Sequence, residues 1–357
     1  MKPVQITSTE SRVRPEKPLI LNSGFWILDS RLCLSLIALA GLLLLSGPAW
    51  SAEKKGGLVL QFDDGWSSWA TLIAPELKKV GGVATGFVNN QNLRSGRITL
   101  EDLLALQNTY GWEIGSHTWH HLNAPAFVRK NGIDRWLNEE LNKSMGELRA
   151  AGLTINSLVF PFNLFDKKLS EAVQPLVATY RRAERLSLAT GVRADKSVPG
   201  TAIDMAHYVP IDLMKQWIDM AAARNQLLFL YGHRILPDSH FATGTVVSAT
   251  STTLTAAVAV TLPPGTDLVL TPDLTRRTGT DFFNVIQATG TVITVDRADL
   301  SALTQPGAQF LIGEAYSTRL SDFRSLVEYA ATKVNFYTLH DIASGLSSGS
   351  PTPFRMP

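Results

Sequence analysis

The sequence predicts an α/β fold, a parallel sheet or barrel, interrupted by a small all-β module. Two observations carry this. Residues 57–235 alternate short apolar runs with amphipathic helical patterns, the mark of parallel strands joined by helical crossovers. Residues 241–312 hold 16 threonines, no lysine and no strong helical periodicity, which suits short antiparallel strands.

The elements follow in chain order. Gly57–Phe62 (GLVLQF), Ala84–Val88, Trp112–Ser116, Ser157–Phe160 and Leu227–Tyr231 read as buried strands, with another over Leu176–Tyr180. Thr99 caps a helix carrying Leu100, Leu103, Leu104 and Leu106 that ends at Gly111. A second helix runs from Ile133 to Ala151 with Trp136, Leu137, Leu141, Met145 and Leu148 at helical spacing and Gly152 as its stop. Within 241–312, Ala242–Val247 (ATGTVV) recurs as Ala288–Ile293 (ATGTVI), an offset of 46, and predicts two related hairpin units. A helix near Leu320–Thr332 and a strand Val334–Leu339 then resume the α/β pattern, so 241–312 interrupts the first domain (52–240 and 313–345), and 346–357 is a flexible tail.

Before these elements, Leu32 to Ala52 is a run of 21 uncharged residues, preceded by Arg31. Gly47-Pro48 breaks any long helix and Ala49-Trp50-Ser51 supplies small residues, so residues 1–51 read as a signal peptide; an uncleaved membrane anchor is the alternative. Either way the chain is expected to be exported: periplasmic, extracellular or attached to the cell envelope. Removing residues 1–51 takes five of the 33 basic and three of the 31 acidic residues, leaving 28 of each sign and no cysteine. That balance excludes a basic nucleic-acid surface, and any membrane contact is left to the N-terminal segment. The single Cys33 excludes an internal disulfide or a Cys-rich zinc site, so a metal must be held by His and carboxylates. Nothing in the sequence specifies an oligomeric state.

Three clusters carry chemistry. The first strand ends in Asp63-Asp64-Gly65, at the strand end where sites form in parallel α/β folds. One carboxylate can bind a cation while its neighbour takes a proton; Asp-Gly is also a common turn dipeptide. Three of the seven histidines fall in Ser116-His117-Thr118-Trp119-His120-His121. His117 and His121 are four apart, on one face of a helical turn, and with Asp64 make a two-His, one-carboxylate set suited to Zn²⁺, with Co²⁺, Mn²⁺ or Ni²⁺ acceptable. His120 is expected to point elsewhere. The strand Leu227–Tyr231 runs through Gly232 to His233, a titratable group on the same rim and a candidate general acid.

FDDG (Phe62–Gly65), the HTWHH segment, Phe160-Pro161-Phe162-Asn163 and the strand ending in His233 resemble successive motifs of the polysaccharide deacetylase family, carbohydrate esterase family 4 with its NodB-homology domain. The resemblance implies a distorted (β/α) barrel that removes acetyl groups from N-acetylated sugars. It implies that Asp64, His117 and His121 hold the metal, Asp63 is the general base, His233 the general acid, and the Phe162 N–H an oxyanion donor beside Pro161.

The chain departs from the pattern at Val159, where many relatives carry an arginine that orients the catalytic aspartate; Arg185 or Arg182 is the expected substitute. Phe162-Asn163 stands where Tyr-Gly is commoner, and Gln61 where Thr or Ser is. Trp66, Trp119, Pro161 and Phe162 are candidates for substrate contact, Trp66 first because it follows the Asp pair directly. The implied activity is metal-dependent N-deacetylation of an N-acetylglucosamine polymer, β-1,6-linked, chitin-type or peptidoglycan. An O-acetyl esterase on xylan or another acetylated glycan, and an inactive glycan-binding envelope protein, are the alternatives.

Overall fold

The computed structural model describes residues 54–278 and 282–345; the presequence and the expected tail 346–357 lie outside the described residues. No helix among the described residues is long and apolar enough to cross a membrane.

The first eight strands are β1 (Gly57–Asp64), β2 (Thr85–Val88), β3 (Glu113–Ser116), β4 (Ser157–Leu158), β5 (Thr179–Ala183), β6 (Leu188–Ala189), β7 (Ser197–Ala202) and β8 (Leu227–Gly232). Strands β1-β2-β3-β4-β5-β7-β8 are parallel neighbours, and β8 pairs back onto β1, closing a seven-stranded barrel. Short β6 lies antiparallel beside the start of β8. Outside run α1 (Ala74–Lys79), α2 (Leu100–Asn108), α3 (Lys143–Ala150), α4 (Lys167–Val173) and α5 (Ile211–Arg224). This is a distorted (β/α) barrel.

Strand alternation sorts the side chains. On β1, Leu58, Leu60 and Phe62 turn outward into the layer they share with Trp69, Leu103 and Leu228. Val59 turns inward to meet Phe87, Val159, Val198 and Phe229 in the lumen. Each such buried side chain contributes about 1.5–3 kcal/mol. The same parity that puts Val59 in the lumen aims Gln61 and Asp63 there too, one and two steps nearer the rim, and both are buried. On β1 the polar groups inside the barrel thus lie towards the carboxyl end of the strand.

Local signals account for the helices. Thr99 and Asp102 form a reciprocal capping box at the start of α2. The stretch expected as one helix from 133 to 151 is helical throughout, but Leu137–Asn142 is wound as a π turn that leads into α3. That turn buries Glu140, which reaches His120. The strand expected over Leu176–Tyr180 lies later, at Thr179–Ala183. Tyr180 packs outward on Phe160 and Phe165, so Arg181 points into the lumen and is fully buried.

After β8, the strand β9 (Arg234–Leu236) leads into six antiparallel strands: β10 (Ala242–Ala249), β11 (Thr253–Ala256), β12 (Leu268–Thr271), β13 (Phe283–Thr289), β14 (Val292–Val295) and β15 (Gln309–Glu314). They close in the order β10-β11-β14-β13-β12-β15 around a core that includes Val246, Leu254, Leu270, Phe283, Ile293 and Phe310. The repeat at offset 46 is not structural. Gly244 sits within β10, whereas Gly290 is the left-handed turn between β13 and β14. The hairpins correspond instead at an offset of 39. Val246↔Ala256, Ser248↔Thr255 and Ala249↔Leu254 in one match Val285↔Val295, Gln287↔Thr294 and Ala288↔Ile293 in the other, with the ladder irregular at the same step in both. The pair Leu254↔Ile293 joins equivalent residues, so a pseudo-two-fold axis passes between β11 and β14. Shared Ala-Thr-Gly-Thr letters misled because small polar residues serve strand and turn alike; the buried positions carry the true period.

The exit strand β16 (Ser317–Arg319) pairs parallel with the entry strand β9. Next come α6 (Leu320–Lys333) and β17 (Asn335–Phe336), the latter beside the start of β1, and then α7 (Leu339–Ala343). The expected strand Val334–Leu339 is thus cut short, because Thr338 and Asp341 form a capping box that starts α7. Leu339 and Ile342 fill the barrel floor. There the buried Glu113 accepts hydrogen bonds from the His340 N–H (2.6 Å) and the Ser157 hydroxyl (2.7 Å). A separate apolar cluster joins Met205, Ala206 and Tyr208 of the parent barrel to Phe241, Val269 and Leu311 of the insert and to Ala315 just after it.

Candidate active site

Asp63 and Asp64 close β1, and alternation alone would send them to opposite faces. Asp64 escapes this through a left-handed backbone (φ 79°), followed by Gly65 (φ 80°), which carries it over the rim. Its carbonyl accepts from Asn92 Nδ2 at 2.8 Å. Oδ1 then lies 3.3 Å from His121 Nε2 and 3.6 Å from His117 Nε2. The potential ligand atoms of Asp64, His117 and His121 all fall within 4.8 Å of one another.

The two histidines do not meet on a helical turn, as their spacing suggests. They sit in an irregular loop after β3 in which Thr118 (φ 65°) and His121 (φ 59°) are left-handed. Phe162 and Asn163 are left-handed as well, so five of the eight non-glycine residues with positive φ among those described cluster here. Backbone strain of this kind concentrates where a site must be held in one geometry. His117 Nδ1 donates to the Val159 carbonyl at 2.8 Å, which leaves the Nε2 lone pair facing Asp64. For His121, burial and the neighbouring His117 push the imidazole down to about 4 against the pull of Asp64 and Asp63, so it is neutral at neutral pH. Two imidazoles and a carboxylate form a donor set that fits a divalent ion of the zinc type. His120 turns away and binds Glu140 through Nδ1 at 2.5 Å.

Asp63 is buried inside the rim, and its partner is neither Arg185 nor Arg182 but Arg181. The Arg181 guanidinium grips it in a bidentate pair, Nη1 to Oδ1 at 2.8 Å and Nη2 to Oδ2. Arg182, one residue on, points to the outside over Phe165, and Arg185 offers only its carbonyl, to Arg277. The reason is strand extent: β5 runs on to Ala183 instead of ending at Tyr180, and alternation from the outward Tyr180 makes 181 the inward position. Room for the guanidinium comes from Gly200 on β7, where a Cβ would stand 2.5 Å from Arg181 Cδ. Asn163 Oδ1 accepts from Arg181 Nε at 3.1 Å, Asn163 Nδ2 donates to the Tyr231 hydroxyl, and the Tyr231 ring lies 3.8 Å from the guanidinium carbon. Burial raises the Asp63 pKa, but Arg181's charge and hydrogen bonds outweigh it and hold the carboxyl at about 2.

His233 follows β8 on the same rim. Its Nδ1 is 2.7 Å from Asp204 Oδ2, and Asp204, itself fully buried, comes from the turn after β7. Burial pushes the imidazole down, but the charge and hydrogen bond of Asp204 more than reverse this, raising it to about 9. Trp69, in the core, donates Nε1 to the His233 carbonyl at 2.8 Å. Arg181 and Asp204 were the functional partners that motif reading missed. Each had a signal, an arginine pair directly after an apolar run and an aspartate at a strand end, but the extent of β5 and β7 itself had to be known first.

The candidate substrate contacts divide. Phe162 is 59% exposed, its ring 4.7 Å from His121, while Pro161 beneath it is buried. Trp66 is engaged: the guanidinium carbons of Arg97 and Arg234 lie 4.1 and 4.3 Å from its ring centre. Trp119 donates Nε1 to Glu147 at 2.9 Å and has Lys143 Nζ 4.0 Å from its ring centre.

Comparison with known proteins bears on the identity. No curated protein matches the chain. Among solved structures, the Xyl-CE4 domain of a multidomain xylanase from the hindgut metagenome of Trinervitermes trinervoides is similar at 19% identity and a TM-score of 0.36, over 50% of this chain and 74% of that one. A family 4 carbohydrate esterase from Streptomyces lividans gives 16% and 0.37, over 50% and 80%. Peptidoglycan deacetylase PdaC from Bacillus subtilis gives 19% and 0.31, over 51% and 76%. Residues 51–180, which carry Asp63, Asp64, His117 and His121, match the polysaccharide deacetylase family model.

Proposed function

We propose that the protein is an exported, metal-dependent deacetylase that hydrolyses N-acetyl groups of an N-acetylglucosamine-containing polysaccharide, β-1,6-linked, chitin-type or peptidoglycan. The observation that carries the reading is the opposed charge state of two groups on one rim: Asp63 held ionised at about 2 and His233 held protonated to about 9. Groups whose surroundings drive them apart in this way are suited to act as base and acid.

A divalent metal held by Asp64, His117 and His121, Zn²⁺ first and Co²⁺, Mn²⁺ or Ni²⁺ also suited, would supply Lewis acidity towards the acetyl carbonyl and towards water. Asp63 accepts the proton of the attacking water while its oxygen bonds to the acetyl carbon. Arg181 and Asn163 fix the carboxylate plane, so that the accepting oxygen is presented without reorganisation. Negative charge that develops on the carbonyl oxygen is met by the Phe162 N–H. His233 then gives its proton to the nitrogen as the C–N bond breaks, releasing acetate and an amino sugar. An amine leaves poorly without that proton, whereas an alkoxide leaving an ester needs it less. A rim that keeps an acid protonated at neutral pH therefore favours the amide over an O-acetyl ester. The complete set Asp63, Asp64, His117, His121 and His233 speaks against an inactive binding protein. Export is supported by the uncharged run Leu32–Ala52 and by the thiol-free remainder of the chain.

The test is acetate release from defined β-1,4- and β-1,6-linked N-acetylglucosamine oligomers, peptidoglycan fragments and acetylated xylan, before and after chelation and with Zn²⁺ restored. Metal-dependent release from an N-acetylated glycan is expected. Release from acetylated xylan alone would replace this reading with the esterase.

A further inference from the structure

The aromatic wall of the site comes from the link by which the chain leaves the inserted barrel and returns to the first domain. Tyr316 lies in the two-residue link between β15 and β16, its ring centre 5.0 Å from that of His233, and it is 48% exposed. With Trp66 and Trp119 engaged by cations and hydrogen bonds, Tyr316 and Phe162 are the exposed aromatic rings in contact with the site's histidines. Phe162 stands on the His121 side and Tyr316 on the His233 side, so the two bracket the rim.

The placement of Tyr316 is fixed on both flanks. Glu314 forms an ion pair with Arg234, the residue after His233. The Ala315 carbonyl accepts from the Ala206 N–H at 2.8 Å and its N–H donates to the Asp267 carbonyl at 3.0 Å. On the other side, Ser317–Arg319 pairs in register with Arg234–Leu236, and Ala315 is buried in the apolar cluster that joins insert to barrel. A large, exposed aromatic ring on so firmly held a backbone is a preorganised contact surface, and what it faces is the acid that protonates the departing amine.

We infer that Tyr316 is a substrate-binding residue on which a pyranose ring of the glycan stacks, so that the inserted barrel completes the deacetylation site. The inference rests on the function proposed above. It is tested on the full, metal-loaded chain with Tyr316→Ala and Tyr316→Phe, using β-1,4- and β-1,6-linked N-acetylglucosamine pentamers. Acetate release gives KM and kcat, and calorimetric titration in an Asp63→Asn background gives Kd without turnover. Tyr316→Ala is expected to raise KM and Kd about 5- to 15-fold with kcat within about threefold, and Tyr316→Phe to stay within about twofold of the parent in both. Unchanged KM and Kd overturn the inference. So does a fall in kcat with a shifted basic pH limb and no change in KM, which would make Tyr316 only a support for His233. If the parent chain binds a pentamer through Tyr316 but releases no acetate, the proposed function fails and the inference stands. If neither pentamer binds, the inference fails.

Discussion

Replacing Asp204 with asparagine isolates what sets the charge on His233. Asparagine keeps the shape and one acceptor oxygen but removes the negative charge 2.7 Å from Nδ1. The parent imidazole is held at about 9 instead of its ordinary 6.5, a preference of about 3 kcal/mol for the protonated form. Without the carboxylate, burial is opposed only by the charges of Asp63 and Asp64, and the imidazole should titrate near or below its ordinary value. At pH 7.5 the protonated fraction then falls from about 0.97 to about 0.1 or less, so kcat/KM drops at least about tenfold, with a smaller loss near pH 6. The sign for stability follows from linkage. A raised histidine pKa stabilises the fold fully below pH 6.5, and that contribution is lost as pH rises through about 9. The parent should therefore lose more thermal stability between pH 7 and 10 than Asp204→Asn does. The measurements are the pH profile of acetate release and the NMR titration of the His233 ring in both proteins. A basic limb within half a unit of the parent's in Asp204→Asn, or a parent ring titrating near 6.5, would refute the reasoning.

Three further outcomes are expected. Arg181→Met leaves Asp63 buried without its counter-charge, so kcat/KM should fall more than about 100-fold and stability by about 3 kcal/mol. Arg182→Ala and Arg185→Ala should stay within about twofold in kcat/KM, and equal losses at all three would remove Arg181 from its role. Asp64→Asn and His121→Ala should bind less than about a tenth of the zinc the parent binds, by elemental analysis, while far-UV circular dichroism keeps the parent's form; undiminished zinc would displace the metal from this triad. Deleting 241–312 with a short linker should yield insoluble or strongly destabilised protein, because it strips Phe241, Val269 and Leu311 from Met205, Ala206 and Tyr208. A soluble, active deletion would make the insert an accessory.

The sequence by itself determined which strands end in chemistry. An apolar run that stops at Asp63-Asp64, at His117 and at His233 is a local pattern, and a parallel barrel brings all its strand ends to one rim whatever the details. The compositional break at 241 was equally legible, because a threonine-rich, lysine-free stretch cannot continue an amphipathic helix pattern. Tertiary structure alone decided what each group pairs with. Period two puts Arg181, not Arg182, on the face opposite the outward Tyr180, and only because β5 runs on to Ala183 does that face carry the partner of Asp63. Asp204 and Tyr316 are 29 and 83 positions from His233, and only the closing of the barrel on one side and the folding back of the insert on the other bring them to it. A sequence likewise shows the tryptophans beside the motifs as aromatic rings but not the arginines and lysine that pack against them.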